Sequence, residues 1–223
     1  NLQRHLQSTA TMPTHTSKSV PKNIELYEER AKNIDLIWCQ QIVSLLDSYQ
    51  QGEFSVNDIG CNYGQFYKEL KRRGFTDRID YRGYDIDLKF LEMGKRYFPE
   101  ISDKFVAFDI ESDVPTPSDI VICSACLEHL DKPYVALDNM LRSASKAIYL
   151  RTFVGAAMID EMQSNPEYVS VPYNINQHNL FELSQFFFER GFRFSCIPDL
   201  ATNNSEEYEL FPNSGMFRTM YII

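Results

Sequence analysis

The run Val56-Asn-Asp-Ile-Gly-Cys-Asn-Tyr-Gly64 decides the fold. A strand-like stretch from Phe54 to Ile59 breaks there into a tight glycine turn. Gly60 has no side chain, so a strand that ends in it lets a ligand approach bare backbone. A second strand-like run, Ile79-Asp-Tyr-Arg-Gly-Tyr-Asp85, ends in a carboxylate 25 residues after Gly60. A carboxylate so placed can bind the two hydroxyls of a ribose. Together the two strand ends point to a ligand that contains a nucleoside.

Outward from this turn, strands and helices alternate. Before it, helical periodicity begins near Asn23, and Ile34, Ile37, Trp38, Ile42, Leu45, Leu46 and Tyr49 form one apolar stripe that Gln51-Gly52 ends. After it come a helix over 65–73 closed by Gly74 and, beyond the second strand, a helix over 88–98 with Asp87 as N-cap and Pro99 past its end. Strands are predicted over 104–109, 119–124 and 146–152, with a helix over 133–145 that carries Pro133 in its first turn. Residues 153–178 read as irregular, with a short helix near 156–163. Asn179 caps a helix to Arg190, with Glu182 at the reciprocal position and Gly191 at the stop. Strands over 192–197 and 216–223 flank a polar loop, 199–214, and should pair antiparallel because no helix separates them. The expectation is an α/β fold: a seven-stranded, mostly parallel sheet with helices on both faces and a C-terminal antiparallel hairpin. Residues 1–20 read as a flexible polar arm, 21–52 as an N-terminal helical cap, and 53–223 as the main domain.

Composition narrows the partners. The 223 residues suit one domain, with 43% hydrophobic and 24% charged residues. A net charge of −9 argues against nucleic acid as a partner. The densest basic cluster, Lys71-Arg72-Arg73, reads as a solvated helix C-terminus. No segment approaches the ~20 apolar residues of a membrane span, and no signal-peptide pattern appears. Five scattered cysteines fit a reduced, cytoplasmic chain. Cys123-Ser-Ala-Cys126 lacks the second ligand pair a zinc site needs.

The turn also selects among nucleoside ligands. From Gly60, the dinucleotide pattern G-x-G-x-x-G fails at Asn62 and Gln65, and no phosphate-loop Lys follows Gly64. Asp58, two residues before Gly60, is expected at the mouth of the turn. There it would repel a phosphate and attract an ammonium group. An adenosine with an amino acid end and no phosphate fits, which describes S-adenosyl-L-methionine.

On these residues the chain resembles the class I S-adenosylmethionine-dependent methyltransferases, of the small-molecule type. Asp58-Ile-Gly-Cys-Asn-Tyr-Gly64 looks like their first motif, with Asn62 in place of a usual Gly. Tyr84-Asp85-Ile86-Asp87 resembles the second, Phe108-Asp109-Ile110 the third, and Asp119 to Leu130, with its Leu-Glu-His, the fourth. The resemblance implies a Rossmann-like methyltransferase domain over 53–223. It implies cofactor contacts from Asp58, Gly60, Cys61, Asn62, Tyr63, Gly64, Asp85, Ile86, Asp109 and Ile110, and from the carbonyl of Ser124. In similar enzymes an N-terminal helix closes over the cofactor, which would bring Tyr27 and Arg30 to its carboxylate. A metal-dependent subset uses Glu-x-x-Glu-His; Ala125 stands where the first Glu would, so no metal is expected.

The expected reaction is O- or N-methylation of a small-molecule acceptor, a sugar or natural-product intermediate. His129, His178 and Tyr173 are the candidates to take a proton from a hydroxyl acceptor. Residues 153–178, 199–214 and the N-terminal helices should form its pocket, with Phe153, Tyr168, Tyr173 and Phe211 offering faces and Asn174, Asn176 and Asn204 offering amides. Two other readings are a catalytically silent methyltransferase-like binding domain and a nicotinamide-dependent oxidoreductase. The oligomeric state is left open.

Overall fold

The computed structural model describes residues 20–49, 52–166, 171–203, 209–211, 213–217 and 219–223. The polar arm through residue 19, Gln51, the side chain of Tyr49, Tyr168 and Asn204 lie outside the described residues.

Five parallel strands make the centre: β1 (Phe54–Ile59), β2 (Ile79–Asp85), β3 (Phe105–Ala107), β4 (Ser118–Ser124) and β5 (Ala144–Gly155). Their order across the sheet is β3-β2-β1-β4-β5. The chain therefore runs outward from β1 through β2 to β3, then returns to β1's other side with β4. That reversal leaves a crevice beyond the C-terminal ends of β1 and β4, where open α/β sheets bind ligands. Side chains alternate across the strands, and both faces are buried. Val56, Ile120 and Ile122 enter one core cluster, while Ile59, Val121 and Cys123 enter the other.

The first core receives α2 (Ile37–Tyr49), α3 (Gln65–Arg72) and α4 (Leu88–Tyr97); the second receives α5 (Pro133–Ser143) and α6 (Leu180–Glu189). Caps set several boundaries. Asp87 accepts a hydrogen bond from the Lys89 N–H at the start of α4. Asn179 accepts from the N–H groups of Phe181 and Glu182 at the start of α6. Gly191, at φ +80°, closes α6, and the N–H of Phe192 returns to the Phe187 carbonyl.

The N-terminal stripe forms two helices, α1 (Pro21–Asn33) and α2, because Ile34 is extended at φ −116°. Lys68 Nζ stabilises the break by donating to the carbonyls of Arg30 and Ile34 at 3.0 and 2.9 Å. Residues 156–163, expected as a helix, instead contribute β6 (Ile159–Gln163), which pairs antiparallel with β7 (Tyr173–Asn179). The local sequence gave β6 no helical apolar face, and the partner that supplies its ladder comes after a connection of low predictability. β7 runs parallel to the last residues of β5, Val154 and Gly155. At the chain's end, β8 (Ile197–Pro198) and β9 (Met220–Ile222) pair antiparallel, and β9 lies against Arg151–Phe153 of β5. Residues 192–196 form no strand, since Phe192 spends its N–H on closing α6. The sheet thus has nine strands among the described residues, the expected seven plus the β6–β7 pair.

Candidate active site at the ends of β1, β2 and β4

The turn after β1 is tied to the end of β2. The N–H groups of Gly60 and Cys61 both donate to the Tyr84 carbonyl, at 2.8 and 3.0 Å. Asp85 then takes the Asn62 N–H on Oδ2 and the Asp87 N–H on Oδ1, each at 2.8 Å. Its carboxylate is fixed before any ligand arrives. Asn62 has φ 54°, in the left-handed region that the usual glycine would occupy. Its Oδ1 accepts from the Tyr63 N–H at 2.8 Å, so the amide side chain braces the turn.

Gly60 serves a purpose beyond open backbone. At φ 70° it suits few other residues, and a Cβ on it would lie 2.8 Å from the Cβ of Cys126. The missing side chain lets the residues after β4 close against the turn. Ala125, in that same stretch, also has positive φ, 51°. Its N–H donates to the Arg151 carbonyl at 2.8 Å, which holds the bend in place.

A cavity of about 410 Å³ lies over these strand ends, within the usual range for a small-molecule site. Of the residues expected at the cofactor, Gly60, Asn62, Asp85, Ile86, Asp109, Ile110, Ser124, Tyr27 and Arg30 line it. Asp109 is held by the Glu111 N–H and the Ser112 hydroxyl at 2.9 and 2.7 Å. Tyr27 packs its ring edge-on to Phe90 at 4.9 Å, which brings α1 over the cavity, and Arg30 lies above the Tyr27 ring at 5.3 Å. Burial pushes the Tyr27 phenol up, so it stays protonated.

Four expected contacts fall beneath the turn rather than on the cavity wall. The side chains of Cys61 and Tyr63 are buried in the core, and Gly64, at φ 86°, packs against Phe105 and Phe98. Asp58 does not reach the mouth. It is 2% exposed, and its Oδ2 accepts from the Tyr81 hydroxyl at 2.7 Å. Burial raises its pKa to about 7 against the lowering effect of that hydrogen bond, with Asp85 adding to the rise. A strand residue two before the turn shares Gly60's face parity, but here that face is the packed core.

Of the three proton-transfer candidates, His129 and Tyr173 line the cavity and His178 does not. His178 lies on β7 with 0% exposure, and burial lowers its pKa to about 4, so it is neutral and enclosed. The rings of His129 and Tyr173 meet edge-on at 4.8 Å. His129 Nδ1 lies 2.8 Å from the Asn174 carbonyl. A carbonyl only accepts, so Nδ1 carries the proton and the lone pair of the neutral ring sits on Nε2. Glu128 Oε1 is 3.9 Å from Nε2; this carboxylate is 1% exposed, and its Oε2 accepts from Thr152. Phe153, Phe211, Asn174 and Asn176 do not line the cavity.

Sequence reading missed Arg151, while the turn at 199–203, part of the loop expected at the pocket, reaches the cavity wall through Ala201 and Thr202. Arg151 is 6% exposed, on the cavity wall. Its Nη2 donates to Asp199 Oδ2 and Thr202 Oγ1, both at 2.8 Å. Burial disfavours the charge on Asp199, but Arg151 and Thr202 outweigh it and hold its pKa below the usual value. Gln41 of α2 latches this turn by accepting from the Leu200 N–H and donating to the Pro198 carbonyl, each at 2.9 Å. An arginine inside an apolar strand was the available signal. Away from the site, the Lys71-Arg72-Arg73 cluster is paired, the arginines with Glu69 and the lysine with Glu100.

A parallel sheet with a ribose-ready carboxylate after β2, an acid after β3 and a left-handed turn after β1 defines a nucleoside-binding α/β protein of the class I methyltransferase type. Residues 57–147 match the family described as methyltransferase domain, which supports an S-adenosylmethionine-dependent methyltransferase. Its cofactor is S-adenosyl-L-methionine. A sequence comparison with curated proteins gave no match. Among solved structures, the fold is similar to magnesium protoporphyrin IX methyltransferase from Synechocystis with bound cofactor, at 16% identity and a TM-score of 0.52, over 90% of this chain and 81% of that one. It is similar to the putative methyltransferase in complex with the Trm112 activator from Haloferax volcanii, at 16% identity and a TM-score of 0.59, over 92% and 96%. It is also similar to CalS10, an amino pentose methyltransferase from Micromonospora echinaspora, at 12% identity and a TM-score of 0.53, over 89% and 95%. These likenesses are of fold.

Proposed function

We propose that this methyltransferase acts on a hydroxyl or amine of a small polar acceptor, with His129 as the proton acceptor. One observation carries the reading: Nδ1 of His129 is committed to the Asn174 carbonyl, which leaves its basic nitrogen beside the buried Glu128 carboxylate on the cavity wall. An imidazolium formed there gains an opposite charge 3.9 Å away.

The cofactor, when bound, supplies a methyl group already activated on sulfonium sulfur. The residues present suit it. Asp85 takes the ribose hydroxyls. Asp109 and the Ile110 N–H read the adenine between Ile86 and Phe108. Gly60, Asn62 and the Ser124 carbonyl face the amino acid end, and Arg30, with Tyr27 beside it, takes its carboxylate. Arg30 forms no ion pair among the described residues, so its charge is available. Asp58, Cys61, Tyr63 and Gly64 shape the turn. The chain's remaining task is alignment and exclusion of water. Tyr27 and Tyr173 line the cavity, and Tyr173 holds the His129 ring edge-on.

Support for a small acceptor comes from the cavity's size and the net charge of −9, which disfavours nucleic acid. Aromatic faces beside polar groups suit a sugar or another polar ring, and a fold relative is an amino pentose methyltransferase. No helix among the described residues is long and apolar enough to cross a membrane. The test is mass spectrometry of a metabolite extract incubated with the protein and deuterated-methyl cofactor. A labelled small molecule, formed about 100-fold more slowly by His129→Asn at unchanged cofactor affinity, supports the reading. Label found only in macromolecules refutes it.

A further inference from the structure

Arg151 is not used by any step above, and its setting calls for a ligand. It follows β4's Ser124 across the sheet, on the side away from β1. Its guanidinium therefore belongs to the half of the cavity beyond the cofactor strands, with Trp38, whose ring centre is 5.7 Å from Cζ. A guanidinium has five N–H donors. Among the described residues three are used, two on Asp199 and Thr202 and one, long at 3.4 Å, on Ser124; five minus three leaves two. Nε is buried and has no hydrogen-bond partner. Buried donors of this kind are normally satisfied.

Stability does not explain the arrangement, because a buried ion pair generally gains little over apolar packing. Position does. Asp199 is fully buried and off the cavity wall, while Arg151 and Thr202 are on it. A ligand meets the cation, with Asp199 and Thr202 behind it fixing the guanidinium plane. Asp131, on the wall beside His129, already binds the Asn174 amide.

We infer that Arg151 binds a carboxylate of the methyl acceptor, so that the acceptor is a small hydroxy or amino acid held with its nucleophile toward His129. This deepens the small-molecule reading and rests on it. A carboxylate suits the charge of the guanidinium and its unfilled Nη1 donor. Trp38 offers a flat apolar face next to that anchor.

The test splits a metabolite extract by anion exchange at about pH 11, where amino acids as well as hydroxy acids are anions, into a retained acid fraction and an unretained one. Each is incubated with the protein and deuterated-methyl cofactor. Label is expected in the acid fraction. The paired substitution Arg151→Met with Asp199→Asn removes both charges together, so no lone buried carboxylate remains. It should slow labelling at least about tenfold and leave S-adenosylhomocysteine affinity unchanged by calorimetry. Arg151→Lys keeps the ion pair and loses the planar donors; it should raise the acceptor KM with kcat little changed, which keeps the test open if the paired variant folds poorly. Label confined to the unretained fraction overturns the inference. So does a paired variant that loses S-adenosylhomocysteine affinity while binding 5′-methylthioadenosine normally, since that puts Arg151 on the cofactor's own carboxylate. Label in neither fraction, with S-adenosylhomocysteine still bound, removes the small-molecule reading and this inference with it.

Discussion

Asn62 shows what a single departure from a motif can mean. Its φ of 54° is the conformation a glycine would supply, and Asn is among the side chains that tolerate it. The left-handed backbone was legible in the sequence; the brace from its Oδ1 to the Tyr63 N–H was not. Asn62→Gly should keep S-adenosylhomocysteine affinity within about threefold, read by calorimetry. Asn62→Val, a β-branched residue at positive φ, should lower stability by about 2 kcal/mol in denaturant titration. Asp58 carries a prediction about pH. In the folded chain its pKa is about 7, against about 3.9 when unfolded. Between those values the folded state holds the proton and the unfolded state does not. Its contribution to stability is thus full below about pH 4 and is lost as pH rises through about 7, by at most about 4 kcal/mol. Unfolding of the cofactor-free protein at pH 5 and pH 8 should show that fall, and Asp58→Asn should flatten it. A slope unchanged by Asp58→Asn would mean that other groups govern it.

At the scale of elements, boundaries were readable wherever a local cap wrote them. Asp87 and Asn179 hold the first N–H groups of α4 and α6, and glycines end α3 and α6, as their side chains and spacing predict. Asn179→Ala should therefore cost about 1 kcal/mol in denaturant unfolding. A loss much below that would mean the cap contributes less than its two hydrogen bonds suggest. The β6–β7 pair was not readable, because its strands gain their ladder from each other and from the end of β5. Sheet pairing is set by partners distant in sequence and outweighs weak local preference. That pair has a chemical consequence, since β7 brings the Asn174 carbonyl to His129. It also explains His178: a position read as a loop before a helix is a strand residue enclosed by packing.

Over the whole molecule, the alternation of strands and helices was the most legible property, and it gave the parallel sheet. The structure adds the reversal of strand order between β1 and β4, and the cavity lies above it. Asp85 and Asp109 reach the cavity because each ends a strand or follows one on that edge. The acceptor half was less legible. Arg151 meets Asp199 across 48 residues of chain, through a turn that Gln41 of α2 latches. No spacing rule predicts such a meeting. The central claim is that the crevice at β1, β2 and β4 binds the methyl donor through Asp85. Calorimetry with S-adenosylhomocysteine on the wild-type protein and on Asp85→Ala tests it most directly. Micromolar binding by the wild type is expected, with a loss of at least about 30-fold in the variant, the worth of charge-assisted hydrogen bonds to two hydroxyls. Equal affinity in the two proteins, or no binding by either, would contradict it.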